Sequence, residues 1–487
     1  MGETIHLRKI GQSSSLPRMT LPLPDAWLLL DRAAGNLETQ IQAGIREQIL
    51  DGRLKAGERL PSSRALALSL GIARSTVVGG FERLRAEGFI EGAQGAAMRV
   101  ARLATPPQGA RARPIEPLPR AAPEPERFLP FRPGLPDLDS FPAALWARCL
   151  AARARHLRLH DLGYGEEAGL PELRQAIAAH VVRARAVLAD PEQVIVMPSA
   201  ASILAMVADI AGVRGQRPVW LEEPGYVIAR DIFLAAGARL VSVPCDAEGI
   251  AITRGEGPPP SLIYVTPSHQ YPTGVAMSLS RRLELLDFAR ANRAVVIEDD
   301  YDSEFHYASR PLAALQGLDR AGCVVYVGTF SKVLAPGLRV AYAVLPPSLL
   351  SQARAVLRRE GSSVPIHVQA ALADFLNEGH LRAHIRRMQT VYRERMGATR
   401  AAVLASGDGV LEPGSGDGGL QLAAWFKNRD ADDGQVARAL HAAKIGAMAL
   451  SPFYRNEPRP GLLFGIGGAT PERIAALGKA LEHLLRP

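Results

Sequence analysis

Val324-Val325-Tyr326-Val327-Gly328-Thr329-Phe330-Ser331-Lys332, followed by Pro336-Gly337-Leu338-Arg339-Val340-Ala341-Tyr342, decides the architecture of the chain. A short apolar run that stops at Gly-Thr reads as a buried parallel strand. Lys332 then falls just past its carboxyl end, where open α/β sheets place their ligands. Thr329 before the lysine and Arg339 after it flank that position. A hydroxyl and a guanidinium fork both suit a phosphate. A lysine beside a phosphate pocket suits pyridoxal phosphate, whose aldehyde takes a lysine as an aldimine. The competing reading, a surface lysine after a strand, is disfavoured by the companion stretches.

Those companions repeat the same layout. From Phe131 onward, strand-like runs alternate with helical stretches, the signature of an α/β fold. The strand candidates are 194–196, 219–221, 240–243, 262–265, 295–297, 324–327 and 340–344, with 420–426 and 462–466 forming a smaller subdomain. The run Val295-Val296-Ile297 leads into Glu298-Asp299-Asp300-Tyr301-Asp302. Acids at the end of a buried strand are costly unless paired. A protonated pyridine nitrogen would pair with Asp299, and Tyr301, two residues on and on the same side of an extended chain, would reach the ring hydroxyl. A metal site or an acid-rich helix start is the alternative. Only His306 lies at ligand spacing on that loop, so metal is the weaker idea and no metal ligands are assigned. Glu222-Glu223-Pro224-Gly225-Tyr226 offers Tyr226 to stack on a planar cofactor. Pro198-Ser199-Ala200-Ala201-Ser202 opens a helix whose free N–H groups can hold a phosphate. Ser268-His269-Gln270-Tyr271-Pro272-Thr273-Gly274 is a turn with polar ends. Each loop leaves the carboxyl end of a strand, and their convergence outweighs any one of them.

Toward the amino end the pattern changes. Residues 1–35 read as a loosely ordered lead-in. Over 36–101, Leu37, Ile41, Ile45 and Ile49 make one apolar helix stripe that ends at Gly52. Leu60-Pro61-Ser62-Ser63-Arg64 opens a second helix and Gly71 turns the chain. A third helix starts at Ser75 or beside it, and Phe89-Ile90 with Met98-Arg99-Val100 form a hairpin. That order is a winged helix-turn-helix. Arg64, Arg74, Ser75, Thr76 and the wing tip Gln94-Gly95 would face DNA phosphates or base edges; a small helical packing unit with ordinary surface arginines is the alternative. Gly79-Gly80 inside the third helix costs about 1 kcal/mol per glycine and predicts a soft helix. Residues 102–128 are a Pro-rich linker with a reach of up to roughly 80 Å, and 129–487 form the α/β unit.

The chain has 487 residues, enough for two or three domains. A hydrophobic fraction of 47% without a long apolar run excludes a membrane span, and no signal peptide is evident. Cys149, Cys245 and Cys323 form neither a disulfide framework nor a metal spacing, so a cytoplasmic protein is expected. A net charge of +8 permits an anionic partner without naming one.

Two resemblances sharpen this reading. Gly52-x-Leu54-x-x-Gly57-x-x-Leu60-Pro61-Ser62-x-Arg64-x-Leu66-Ala67, then Leu70-Gly71-Ile72-x-Arg74-x-Thr76-Val77 and Leu84-x-x-Glu87-Gly88, resembles the GntR family of bacterial repressors. Phe131-Arg132-Pro133-Gly134-x-Pro136-Asp137, Gly163-Tyr164-Gly165, Glu223-Pro224-Gly225-Tyr226, Tyr271-Pro272-Thr273-Gly274, 297–305 and Gly328-Thr329-Phe330-Ser331-Lys332 look like a fold-type I aminotransferase. The whole chain resembles the MocR subfamily of GntR regulators. The resemblance implies that Lys332 forms the internal aldimine with pyridoxal 5'-phosphate, Asp299 pairs with the pyridine nitrogen, Tyr301 bonds the phenolic oxygen and Tyr226 stacks on the ring. It further implies that Thr329, Arg339 and the N–H groups near Ala200 and Ala201 hold the phosphate, with Tyr164 supplied by a second subunit of a homodimer. Arg64, Arg74, Ser75, Thr76 and the wing glycine would contact operator DNA.

Departures from the aminotransferase pattern matter. Tyr271 stands where asparagine is usual, and Ala201 or Ser202 replaces a phosphate-loop glutamine. Leu463 takes the place of the substrate-carboxylate arginine, with Arg455 and Arg459 as substitutes only if their loop folds inward. The first expectation is therefore a transcription regulator that senses pyridoxal phosphate or an amine effector. A working aminotransferase with an accessory DNA-binding domain is the second.

Overall fold

The computed structural model describes residues 28, 30–32, 35–92, 97–102, 128–156, 162–163, 165–215, 217–252, 257–307, 313–360, 364–406 and 409–485. Gln94, Gly95, Tyr164 and nearly all of the Pro-rich linker lie outside them. The chain forms two compact units, Met1–Pro119 and Arg120–Pro487.

In the first unit, helix α1 (Leu37–Leu50) carries the apolar stripe, and Ile41, Ile45 and Ile49 are buried. Helix α2 (Ser63–Leu70) starts where Ser62 accepts a hydrogen bond from the Ala65 N–H and stops at Gly71, whose φ of 62° favours glycine. Helix α3 (Arg74–Ala86) opens at Arg74 after Ala73, one residue before Ser75. Its Val77, Phe81 and Leu84 meet the α1 stripe in one core, closed by Ile90 and Val100. Those two residues pair across the wing, strands β1 (Ile90–Glu91) and β2 (Arg99–Val100).

Two expectations change here. The lead-in is not loose to its end: Leu28 is buried in this core, and Arg32 Nη2 donates to the Gly71 carbonyl at 2.8 Å. The glycines of α3, read in the sequence as points of softness, are also seats where α1 approaches closely. A Cβ on Gly80 would lie 3.0 Å from Ile41 Cγ2, and one on Gly79 would meet the Glu38 carboxyl carbon at 2.5 Å.

The second unit is built on an eight-stranded sheet: β3 (Val194–Met197), β4 (Val219–Glu223), β5 (Leu240–Asp246), β6 (Gly249–Ile250), β7 (Leu262–Val265), β8 (Val295–Asp300), β9 (Val324–Thr329) and β10 (Ala341–Val344). Their order is β3-β10-β9-β8-β7-β4-β5-β6. The run β9-β8-β7-β4-β5 is parallel, whereas β10 is antiparallel to both neighbours. Both faces of the central strands are covered, so these strands are apolar up to the acids at the carboxyl ends of β4 and β8. Val325 and Val327 of β9 pack with the helix Ala200–Ile210 side, and Tyr326 packs with the helices Pro171–Arg185 and Ile366–Asn377. A helix of 27 residues, His380–Ser406, leads to a second sheet ordered β11-β12-β14-β13: β11 (Leu411–Pro413), β12 (Gln421–Phe426), β13 (Met448–Ala449) and β14 (Gly461–Gly465). Among the described residues no helix is long and apolar enough to cross a membrane.

Candidate functional site

Register explains why distant loops meet. Ala341 of β10 pairs with Met197 of β3 on one side and Thr329 of β9 on the other. The start of the helix Ala200–Ile210, Thr329 and Arg339 therefore leave one edge of the sheet together. On β8, Asp299 pairs with Val327 of β9, which carries the chain on to Lys332. Gly328 lies against the Tyr342 ring, where a Cβ would overlap it.

Lys332 lies in the short helix Phe330–Val333, capped by Thr329 Oγ1, which accepts from the Ser331 N–H at 3.1 Å. Its Nζ donates to the Gly134 carbonyl at 2.6 Å. Burial pushes the Lys332 pKa down, and the charges of Asp302 and Asp299 oppose the shift only in part.

The acid cluster at the end of β8 divides by role. Glu298 accepts from the N–H groups of Leu315 and Gln316 at 2.7 and 2.8 Å. Asp300 accepts from Arg185 Nε at 2.8 Å and from the Tyr326 hydroxyl at 2.7 Å. Although burial works against its charge, Arg185 holds it below the usual carboxylate value. Asp302 accepts from Leu420 N at 2.9 Å and pairs with His269 Nδ1 at 2.8 Å. Asp299 Oδ2 takes the Tyr264 hydroxyl at 2.7 Å, while its Oδ1, like Oδ1 of Asp300, is buried with no hydrogen-bond partner among the described residues; unlike Asp300, it has no arginine to balance its charge. Burial raises the Asp299 pKa to about 6, with the Tyr264 bond opposing. An unpaired buried acceptor of this kind awaits a donor.

The aromatic residues also come together. The Tyr271 ring meets Tyr226, Tyr301 and Phe453 edge-on, at centroid distances of 5.3, 5.9 and 5.5 Å. The Tyr301 hydroxyl donates to the His269 carbonyl at 3.0 Å and accepts from Gln421 Nε2 at 2.9 Å. Ser199 caps the helix Ala200–Ile210 by accepting from Ser202 N at 3.1 Å, which leaves the first-turn N–H groups of Ala200 and Ala201 as donors. Arg339 is exposed, and its guanidinium has no hydrogen bond or ion pair among the described residues. The sequence reading missed Tyr264, Gly134, His269 and Gln421. Tyr264 sits within an apolar strand and carries no signal beyond its hydroxyl.

Arg455 and Arg459, the candidate substitutes for Leu463, contact other groups among the described residues. Leu463 is fully buried with Ala423, Leu450 and Phe453, and Tyr271 packs against this cluster. Arg459 lies over the Trp425 ring at 5.0 Å, and Arg455 Nη1 donates to Ser242 Oγ at 3.3 Å. Ligand atoms of Cys149, Glu378 and His380 lie within 4.8 Å of one another. Arg148 Nη2 already bonds Glu378 and His380 there, at 3.1 and 2.8 Å, and so supplies the positive charge.

In the first unit, Arg64, Arg74 and Ser75 are exposed and Thr76 is half-buried, all in the first turns of α2 and α3. Arg74 Nε donates to Ser63 Oγ at 3.3 Å, linking the two helix starts. Ala73 provides no side-chain cap, so first-turn N–H groups of α3 remain for an anion.

Fold and site together define a DNA-binding unit followed by an aminotransferase-like unit. Residues 37–100 match the family of bacterial regulatory proteins called gntR, and residues 148–415 match aminotransferase class I and II. The chain belongs to the MocR type of GntR-family regulators, which join these two domains. It is 36% identical to the probable rhizopine catabolism regulatory protein MocR of Rhizobium meliloti, over 92% of this chain and 93% of that one. The pyridoxine biosynthesis transcriptional regulator PdxR of Corynebacterium glutamicum is 31% identical, over 89% of this chain and 92% of its own. Among solved structures, the α-aminoadipate aminotransferase LysN of Thermus thermophilus is 28% identical with a TM-score of 0.65, over 73% of this chain and 92% of that one. An aminotransferase domain implies pyridoxal phosphate as cofactor. The residues present fit that group: a desolvated lysine, an orphaned carboxylate oxygen and an unpartnered guanidinium beside helix N–H groups.

Proposed function

We propose that the chain is a cytoplasmic, homodimeric transcription regulator whose second unit holds pyridoxal phosphate and responds to that cofactor or to an amine. The observation that carries this reading is the pair formed by Lys332 and the orphaned Oδ1 of Asp299 at the ends of adjacent strands. When bound, pyridoxal phosphate supplies an aldehyde that condenses with primary amines.

Each residue has a task in that reading. Desolvation favours the neutral, nucleophilic amine of Lys332, and the Gly134 carbonyl orients it. Asp299 Oδ1 would accept the N–H of a protonated pyridine ring and hold that proton. Tyr226 would stack on the ring, and Tyr301, with Tyr271 beside it, would bond the ring oxygen in place of the His269 carbonyl. Thr329, Arg339 and the N–H groups of Ala200 and Ala201 would bind the phosphate, with Tyr164 of a second copy joining them. Arg64, Arg74, Ser75, Thr76 and the wing at Gln94-Gly95 contact operator DNA. The regulator names carried by the relatives support this reading. The aminotransferase reading is weaker, because Leu463 puts an apolar side chain where a substrate carboxylate needs an arginine.

The test is binding to the DNA upstream of the chain's own gene, with and without pyridoxal phosphate, for wild type and Lys332→Ala. The absorbance at roughly 400 nm is followed on the same samples. The expected result is a Lys332-dependent band and a DNA affinity that shifts with the cofactor only in wild type. A band accompanied by unchanged DNA affinity sinks the sensing role.

A further inference from the structure

We propose a second ligand site in the C-terminal unit, apart from the Lys332 pocket: a cleft at the start of the helix His380–Ser406 that takes a small dianion with a short carbon body. The cleft has a volume of about 430 Å³, within the range of small-molecule pockets. Arg183 enters from the helix Pro171–Arg185, and Arg382 and Arg386 from the long helix.

Charge accounting singles these three out. Arg382 and Arg386 are four residues apart on one helix face, where like charges repel. All three are exposed, and none has a hydrogen bond or ion pair through its side chain among the described residues. The neighbouring acids are already engaged. Asp374 is held by Arg153 Nε at 2.6 Å, Glu378 by Arg148 at 3.1 Å, and Asp300 by Arg185 at 2.8 Å. Glu304, the one acid lining the cleft, faces His180 at 3.6 Å. Three guanidiniums therefore line one cavity against a single carboxylate, Glu304, leaving an excess of positive charge, and a guanidinium fork matches carboxylate or phosphate oxygens. Leu381 and Ile385, both buried, line the same cleft and give a carbon body an apolar surface.

The site goes beyond the proposed cofactor chemistry but lies next to it. Ser303, Glu304 and His306 form part of its lining and continue the chain from Asp299 and Tyr301. Gln389 Nε2 donates to the Glu304 carbonyl at 2.6 Å, which ties that loop to the long helix leading to the second sheet. A ligand here would touch both.

The test is calorimetric titration of the full chain, without cofactor, using succinate and inorganic phosphate as probes. Wild type is compared with Arg339→Gln and with the double variant Arg382→Gln/Arg386→Gln. The expected result is binding of at least one probe by wild type, at an affinity that Arg339→Gln leaves within about twofold. The double variant loses roughly tenfold or more, because two charge-assisted contacts are removed. Its circular dichroism and melting temperature stay unchanged. Tighter succinate binding marks a dicarboxylate ligand, and tighter phosphate binding marks a phosphate ester. No heat with either probe on wild type overturns the proposal. So does binding that Arg339→Gln abolishes and the double variant keeps, since the anion then sits in the phosphate cradle of the Lys332 pocket. Neither reading requires pyridoxal phosphate to bind, so failure of the proposed function leaves this result interpretable.

Discussion

The Tyr264 hydroxyl donates to Asp299 Oδ2 at 2.7 Å and leaves Oδ1 of the same carboxylate buried without a partner. The arrangement orients Asp299 while keeping half of its hydrogen-bonding capacity in reserve. It has a cost in the cofactor-free chain, because burial raises the carboxyl from 3.8 to about 6. Between those values the folded state holds a proton that the unfolded state has released, so stability falls as pH rises through the window and the penalty is complete above it. Asp299→Asn keeps an acceptor for Tyr264 and removes the charge. Cofactor-free Asp299→Asn is expected to be more stable than wild type at pH 8, by about 2–3 kcal/mol at most, with the difference gone near pH 4. Urea unfolding at the two pH values checks this. The same variant should bind pyridoxal phosphate more weakly, since the ring N–H loses its anionic partner.

Gly79 and Gly80 respond differently to a methyl group. Alanine in a helix interior normally gains about 1 kcal/mol over glycine. At Gly80 the new Cβ would lie 3.0 Å from Ile41 Cγ2 and 3.3 Å from the Glu38 carbonyl oxygen, and the latter is backbone that cannot swing aside. Gly80→Ala is therefore expected to destabilise the first unit. At Gly79 the obstacle is the Glu38 carboxyl group, which can rotate away at the expense of its 2.8 Å pair with Arg83. An exposed pair of this kind is worth about 1 kcal/mol or less, so Gly79→Ala should come out near neutral. Thermal melts of the two variants should rank Gly80→Ala lowest.

Much of this was legible in the sequence, for a physical reason. Strands buried on both faces read as apolar runs, and β3, β4, β5, β7, β8 and β9 were found where such runs end in Gly, Pro or acidic residues. The carboxyl-end rule then pointed to Asp299, Tyr226 and Lys332. What could not be read was anything set by register or by contact between distant segments. The reversal of β10 brings Arg339 beside Thr329, yet nothing local marks that strand as antiparallel. Tyr264 and Asp299 meet because β7 and β8 align Tyr264 with Ile297, and within the sequence Tyr264 is one more apolar strand residue. The glycines of α3 looked like a weakness because their reason lies on α1.

Leu463 offers a test of the apolar wall. It is fully buried on β14 with Leu450 and Phe453, and Tyr271 packs against the cluster. Leu463→Ala should cost about 2–4 kcal/mol through lost burial and the cavity it leaves, whereas Leu463→Met, close in volume, should cost less than about 1.5 kcal/mol. Chemical denaturation of both variants measures the difference.

The DNA-facing residues separate by salt dependence. Arg64 and Arg74 lie in the first turns of α2 and α3, and the 3.3 Å bond from Arg74 Nε to Ser63 Oγ holds one guanidinium at the junction of the two helices. A guanidinium that neutralises one phosphate contributes about 0.9 to the slope of log affinity against log salt. If Arg74 acts on the backbone, Arg74→Ala weakens all DNA sequences alike and flattens the slope by about that amount. If it reads a guanine edge, the slope changes little and discrimination at one base pair falls by about 1–3 kcal/mol. The Ser63 bond sets Arg74 across the helix starts, where first-turn N–H groups also await an anion, so the phosphate role is the expected outcome. Fluorescence anisotropy across a salt series, on the upstream operator and on a scrambled duplex, distinguishes the two. Arg64→Ala, on the neighbouring helix start, should flatten the slope by a similar step, and the double variant by their sum.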